Sequence, residues 1–164
     1  MKIILIVINL FICVNAIGQT KYWKVDQDSV KLLISDSNKA TYYPKLLSKF
    51  LAFDTSLSLS DYRLLYYGFV ENDEYSAYTD TKTTELNAAL NQKDYAKASL
   101  ISDSVLKVAP VNLKANYYKA LSIFLLDSIN LPYWKYSNRY TKLMKAILST
   151  GNGFTCESSF KVLY

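Results

Sequence analysis

Histidine is absent from the 164-residue chain. That gap removes Ser-His and Cys-His nucleophile pairs and every histidine-containing zinc or iron site. Cysteine is nearly as scarce. Cys13 lies in an apolar N-terminal run, and Cys156 stands in the polar stretch TCESS with no base or nearby lysine to favour its thiolate, so it reads as a free structural thiol. With a single cysteine left after a leader is removed, no internal disulfide forms and stability must come from packing. Arginine is limited to Arg63 and Arg139, so the net charge of +5 rests on lysines spread singly along the chain, most with an acid within a few residues. Such a surface suits nucleic acid poorly, because phosphate tracking needs a clustered basic stripe and base readout favours arginine. A mildly basic chain does suit anionic envelope polymers. The 4 glycines and 3 prolines leave little punctuation, which points to a mostly helical chain.

What is present begins with MKIILIVINLFICVNAIGQT, one lysine followed by an apolar run from Ile3 to Val14. The run is short of the roughly 20 residues a membrane span requires and has the form of a secretory signal peptide. Ala16 and Gly18 fit the small positions of a signal peptidase site, which makes residues 1–18 the leader and Gln19 the new terminus, with cleavage after Ala16 as the alternative. Ile12 stands where a small residue should precede a lipidated cysteine, which argues against a lipid on Cys13. The expected product is an exported protein, periplasmic or secreted, with one helical domain over residues 19–164 and no stable membrane span once the leader is gone. With 51% apolar residues it can bury a substantial core.

Hydrophobic periodicity predicts helices over 28–36, 42–53, 58–70, 80–92, 94–109, 112–129 and 132–149. Pro44 and Pro132 sit where a first helical turn tolerates them, Pro110 closes a helix, and Asn112 can cap the next. Gly151 and Gly153 in STGNGF stop the last helix. Beyond them Phe160, Val162 and Tyr164 alternate, which predicts a short C-terminal β-strand with no partner strand left in the sequence, a candidate for pairing with another chain.

The stretch LSLSDYRLLYYGFV is the most aromatic. Ser58 and Asp61 form a capping-box pair, and Leu57 can staple against Tyr62. Tyr62, Leu65, Tyr66 and Phe69 fall at helical spacing on one face, while Leu64 and Tyr67 lie on the other. A helix apolar on two faces is either sandwiched or shows one face to a ligand, and buried aromatics are the commoner outcome. Arg63, four residues before Tyr67, reads as a solvated rim residue able to reach over that ring.

Within NQKDYAKASLISDSVLKVAPVN, Tyr95, Ala98, Leu106 and Pro110 fall at the aromatic, small, apolar and proline positions of a tetratricopeptide second helix, and Lys93 takes the usual turn glycine position. A second unit, 34 residues on, is degenerate. The expected fold is therefore mostly α, tetratricopeptide-like hairpins in an antiparallel array with a short C-terminal strand. TYYPKLLSKFLAFD, then LSLSDYRLLYYGF, an acidic joint, this unit and ILSTGNG ahead of a strand together resemble an uncharacterised family of exported bacterial proteins known only as a domain of unknown function. The resemblance covers essentially the whole mature chain, most specifically Tyr42 to Leu47 and Tyr62 to Gly68. It implies an envelope or secreted helical protein without an assigned activity, and one shortened at its C-terminus relative to relatives that continue with more β-forming sequence.

For chemistry, the acidic joint ENDEYSAYTD offers Glu71, Asp73, Glu74 and Asp80 beside tyrosines. Nothing in the sequence desolvates one of them to raise its pKa, and the spacing lacks the pattern of a calcium loop, so a solvated loop is the plainer reading. The glycine loop after the last helix has the order helix, loop, strand, the reverse of a phosphate cradle. The expectation is a non-enzymatic protein without cofactor or metal, binding a protein or peptide partner of the cell envelope. By tetratricopeptide geometry Thr83, Asn87, Lys114, Tyr117 and Leu121 face the groove, with Asn87, Lys114 and Tyr117 the chief binding residues. The alternative is a glycan-binding or glycan-cleaving protein using Tyr67, Tyr75 and Tyr78 with the acidic joint.

Overall fold

The computed structural model describes residues 22–72, 75, 82–127, 129 and 131–163. The leader, Cys13, Asp73, Glu74, Tyr78, Asp80 and Tyr164 lie outside the described residues. Within them the chain is mostly helical: α1 (Gln27–Ser35), α2 (Tyr43–Leu51), α3 (Leu59–Gly68) with a 3-10 turn (Phe69–Glu71), α4 (Thr83–Asn91), α5 (Tyr95–Val108), α6 (Leu113–Asp127) and α7 (Tyr133–Leu148).

Local signals set most of these boundaries. The Ser58 hydroxyl accepts from the Asp61 amide, and the Asp61 carboxylate accepts from the Ser58 amide at 2.8 Å, which closes the capping box of α3. Pro44 lies in the first turn of α2, Pro132 takes the cap position before α7, and Asn112 accepts from the Ala115 amide at 2.9 Å to open α6. Two helices end in the same way. In α2 the amides of Phe53 and Asp54 return to the carbonyls of Phe50 and Lys49, and in α4 those of Lys93 and Asp94 return to Leu90 and Ala89. Both turns place a non-glycine residue in the left-handed region, Phe53 and Lys93 each at φ +58°. Glycine is the usual occupant there, because a Cβ costs about 1–2 kcal/mol.

α3 is the centre of the larger core. It packs against α1, α2 and α7, and Tyr62, Leu64, Leu65, Tyr66 and Tyr67 are all buried. Its two apolar faces are thus sandwiched. Val30 and Ile34 of α1, Leu46 and Phe50 of α2, Leu143, Ala146 and Ile147 of α7, and the inserted turn Ala109 and Val111 complete this cluster. Gly68 lets α1 approach, since a Cβ there would stand 2.7 Å from the Ile34 side chain. A smaller cluster of Leu86, Ala89, Ala98 and Ile101 holds α4 to α5, with Tyr118 of α6 against it. From α4 onward each helix packs on the next.

The expected C-terminal strand is not formed. Among the described residues there is no β-strand, because the extended segment after the α7 loop is paired with hydroxyl groups instead of a second backbone. The Lys161 amide donates to Thr150 Oγ1 at 3.0 Å, and the Tyr67 hydroxyl donates to the Lys161 carbonyl at 2.7 Å. Two residues on, the Leu163 amide donates to the Tyr66 hydroxyl at 3.1 Å, and the Tyr75 hydroxyl donates to the Leu163 carbonyl at 3.2 Å. Residues i and i+2 of an extended chain point their polar groups to one side. Tyrosines of α3 and its exit satisfy that side. Gly151 turns the chain back to make this contact, since a Cβ there would lie 2.1 Å from the Ser158 carbonyl oxygen.

Two measurements check these local arguments. Lys93→Gly should raise the free energy of unfolding in urea by about 0.5–1 kcal/mol, since it relieves the left-handed strain at an exposed site. Phe53→Gly should lower it despite the same relief, because the Phe53 ring lies 3.5 Å from the Arg139 guanidinium carbon, a contact worth about 2 kcal/mol when desolvated. Separately, Tyr66→Phe should accelerate hydrogen exchange at the Leu163 amide and leave the Lys161 amide, held by Thr150, protected.

Candidate functional site

Two helical stripes face each other across a cleft. On α6, Tyr117, Ala120, Leu121 and Phe124 recur at intervals of three and four residues; on α7, Tyr133, Ser137, Tyr140 and Thr141 do the same. Together they line a cavity of about 250 Å³. Tyr117 pairs with Tyr140 at a ring separation of 5.2 Å, and Phe124 with Tyr133 at 5.1 Å. Small side chains at Ala120 and Ser137 leave the space between these two aromatic pairs open. Tyr117 and Phe124 keep 43% and 47% of their surface exposed, so the rings reach the solvent side of the cleft. The Thr141 hydroxyl returns to its own helix at the Ser137 carbonyl, 2.9 Å away. The lining contains no carboxylate and no amine. Its chemistry is that of apolar contact with hydroxyl groups at the edge, suited to holding a side chain or ring.

The opposite faces of both helices are fixed by buried cations. Lys119 of α6 reaches α5, where its Nζ lies 2.7 Å from Ser99 Oγ and 2.6 Å from an Asp103 carboxylate oxygen. Arg139 of α7 donates to the carbonyls of Phe50 and Leu51, at 2.5 Å and 3.0 Å, at the C-terminus of α2. Phe50, Phe53 and Tyr136 surround its guanidinium. Burial pulls the Arg139 pKa down to about 10, so it remains charged at neutral pH. The Tyr136 ring lies within 5.8 Å of Lys119 and 5.6 Å of Arg139 and so joins the two anchors.

Of the residues singled out from sequence, Tyr117 and Leu121 line the cleft. Lys114 is exposed in the first turn of α6, and Asn87 and Thr83 sit on α4, whose neighbour is α5. None of these three lines the cleft. Phe124, Tyr133 and Tyr140 went unread, although Phe124 continues the Tyr117 and Leu121 spacing and Tyr133 and Tyr140 stand seven apart on α7. The proposed tyrosine platform is absent in the described part. Tyr67 is buried against Trp23 at 5.2 Å, and Tyr75 holds the C-terminal segment and packs edge-on to Phe69. Arg63 is not a free rim residue either: it stacks over Trp23 at 5.4 Å and donates to Ser149 Oγ at 2.9 Å. Glu71 is paired with Lys31 at 2.8 Å, which holds its carboxyl below the usual range, the reverse of what a general acid requires. Cys156 is a free, exposed thiol. Among the described residues no cluster of three or more metal-ligating side chains occurs, and no helix is long and apolar enough to cross a membrane.

The chain belongs to the family described as domain of unknown function DUF4919, whose model matches residues 28–164. No curated protein and no solved structure matches it.

Burial raises the pKa values of Tyr43, Tyr62 and Tyr66, and pushes Tyr67 up to about 12. A phenol that ionises near 10 when unfolded and higher when folded stabilises the fold fully below pH 10 and loses that contribution as pH rises through the folded value. Arg139, shifted downward, acts in the opposite direction but is one group against five, since burial raises Tyr136 as well. Thermal unfolding should therefore fall steeply between about pH 10 and pH 12, with late tyrosinate absorbance appearing in the same window.

Proposed function

We propose that this is an exported, non-enzymatic helical scaffold, tetratricopeptide-like from α4 to α7, that holds an extended segment of a protein or peptide partner. The observation that carries the reading is the α6–α7 cleft, with two aromatic pairs and hydroxyl groups but no acid or base. Such a lining suits an apolar side chain of an extended peptide. Lys114, three residues before Tyr117, provides a cation for a peptide carboxylate or carbonyl, and Asn87, exposed on α4, is the contact this reading assigns to the preceding hairpin, apart from the cleft lining. The signal-peptide form of residues 1–18 supports export, and the serial packing of α4 to α7 through short turns supports the repeat-like reading. A glycan platform has less support, since Tyr67 and Tyr75 are committed to the C-terminal segment.

The test is selection from a randomised peptide library against the chain starting at Gln19, followed by affinity measurement on recovered peptides. Tyr117→Ala and Tyr140→Ala should each weaken binding by about tenfold or more, and Lys114→Ala or Asn87→Ala by about two- to fivefold, with the melting temperature nearly unchanged. Failure to enrich any peptide, or enrichment insensitive to Tyr117 and Tyr140, would refute the cleft as the binding surface.

A further inference from the structure

The end of the α6–α7 hairpin carries a run of exposed apolar side chains. Phe124, Leu125, Leu126, Ile129, Leu131 and Trp134 fall within eleven residues and each keeps at least 40% of its surface exposed, Ile129 91% and Trp134 56%. Among the described residues of the turn, the Asp127 carboxylate accepts from the Ile129 amide at 3.1 Å, and the Asp127 carbonyl accepts from the Leu131 amide at 3.2 Å. A side chain as exposed as Ile129 has no concave surround, so this end of the hairpin is a projection, unlike the cleft beside it.

Charge decides what such a projection meets. From Leu113 to Leu148 the chain holds six cations and a single acid, Asp127. Lys119 and Arg139 are internal, and the half-exposed Lys142 turns its Nζ to the Tyr62 ring at 5.3 Å and the Thr55 carbonyl at 3.5 Å, but Lys145 is exposed on α7, and Lys135 Nζ stands between the Phe53 ring at 5.4 Å and the Trp134 ring at 5.7 Å. Lysine is depleted from protein–protein interfaces. Aliphatic side chains with a tryptophan and flanking lysines are instead the pattern of a segment seated at a membrane interface. No described helix can span a bilayer, so the contact is peripheral.

We propose that the α6–α7 turn inserts Ile129, Leu131 and Trp134 into the interfacial region of a bilayer containing anionic phospholipid, with Lys135, beside Trp134, at the headgroups. This goes beyond the peptide-binding reading and does not depend on it, since neither Ile129 nor Leu131 lines the cleft.

The chain starting at Gln19 is the form to test, because it keeps every described element of the fold. Trp23→Phe leaves Trp134 as the single tryptophan, excited selectively at the red edge where tyrosine does not absorb. Vesicles of phosphatidylcholine with about 30% phosphatidylglycerol should shift its emission to the blue, bromine on the acyl chains should quench it, and raising the salt should weaken the effect severalfold. Ile129→Asp combined with Leu131→Asp should reduce partitioning by about tenfold or more and leave both the melting temperature and any Tyr117-dependent peptide binding in place. The proposal is overturned by no shift with these vesicles, by equal binding to pure phosphatidylcholine, by a shift that free inorganic phosphate reproduces, or by indifference to the double aspartate change. It is equally overturned if the turn mediates self-association instead, seen as a concentration-dependent dimer that the same double change abolishes while vesicles bind nothing.

Discussion

A buried guanidinium without a carboxylate partner holds the two ends of this fold together. Arg139 is 6% exposed, and among the described residues no acid pairs with it. Its charge is balanced by the carbonyl end of α2, where the helix dipole is negative, and by the faces of Phe50 and Phe53. The contact joins positions 89 residues apart. Phe53 accepts a left-handed backbone at that helix end because its ring then covers the guanidinium, which explains why a position suited to glycine holds an aromatic residue.

That internal contact also determines what α7 presents outward. A helix fixed at Arg139, Leu143, Ala146 and Ile147 has one rotation left to it, and in that rotation Tyr133, Ser137, Tyr140 and Thr141 turn toward α6. Lys119 does the same for α6. Its ammonium is tied to Ser99 and Asp103 on α5. Tyr117 and Leu121, two residues to either side, lie roughly 160° around the helix and so face away from α5 toward the cleft. The geometry of the candidate site is therefore a consequence of two buried cations on its hidden side. Neither touches the cleft lining, yet removing either leaves buried polar groups unpaired and frees a helix to rotate.

The sequence made the helices legible because their signals are local. Ser58 with Asp61, Asn112 after Pro110, and the two-faced apolar pattern of α3 each need only a few neighbouring residues to be read. Lys93 was recognisable as the residue in a glycine position, and its φ of +58° is the physical form of that observation. The failures all involve partners distant in sequence. Alternation at Phe160 and Val162 correctly marks an extended segment, but no pattern says that its hydrogen bonds go to the hydroxyls of Tyr66, Tyr67 and Tyr75 instead of a strand. Composition cannot say which lysine or arginine is internal, so nothing in it singles out Lys119, and the expectation of a solvated Arg63 fails because Arg63 stacks on Trp23. The cleft was half legible for the same reason: the stripe through Tyr117 and Leu121 is visible along α6, but its facing partner is α7, whereas repeat geometry had directed attention back to α4.

The α6–α7 hairpin thus divides into parts with different physical tasks. Its middle is locked to α5, α2 and α3 through Lys119, Arg139 and Leu143. At its far end Leu125, Leu126, Ile129, Leu131 and Trp134 leave apolar surface exposed. Phe124 belongs to both the cleft and this end, since it pairs with Tyr133 and stands five residues before Ile129. Asp127 ends α6 three residues beyond Phe124, a rise of roughly 4.5 Å, and the turn follows at once. A peptide seated in the cleft would therefore lie within about one or two helical turns of a surface engaged by the turn, and the same short length of α6 would carry both contacts.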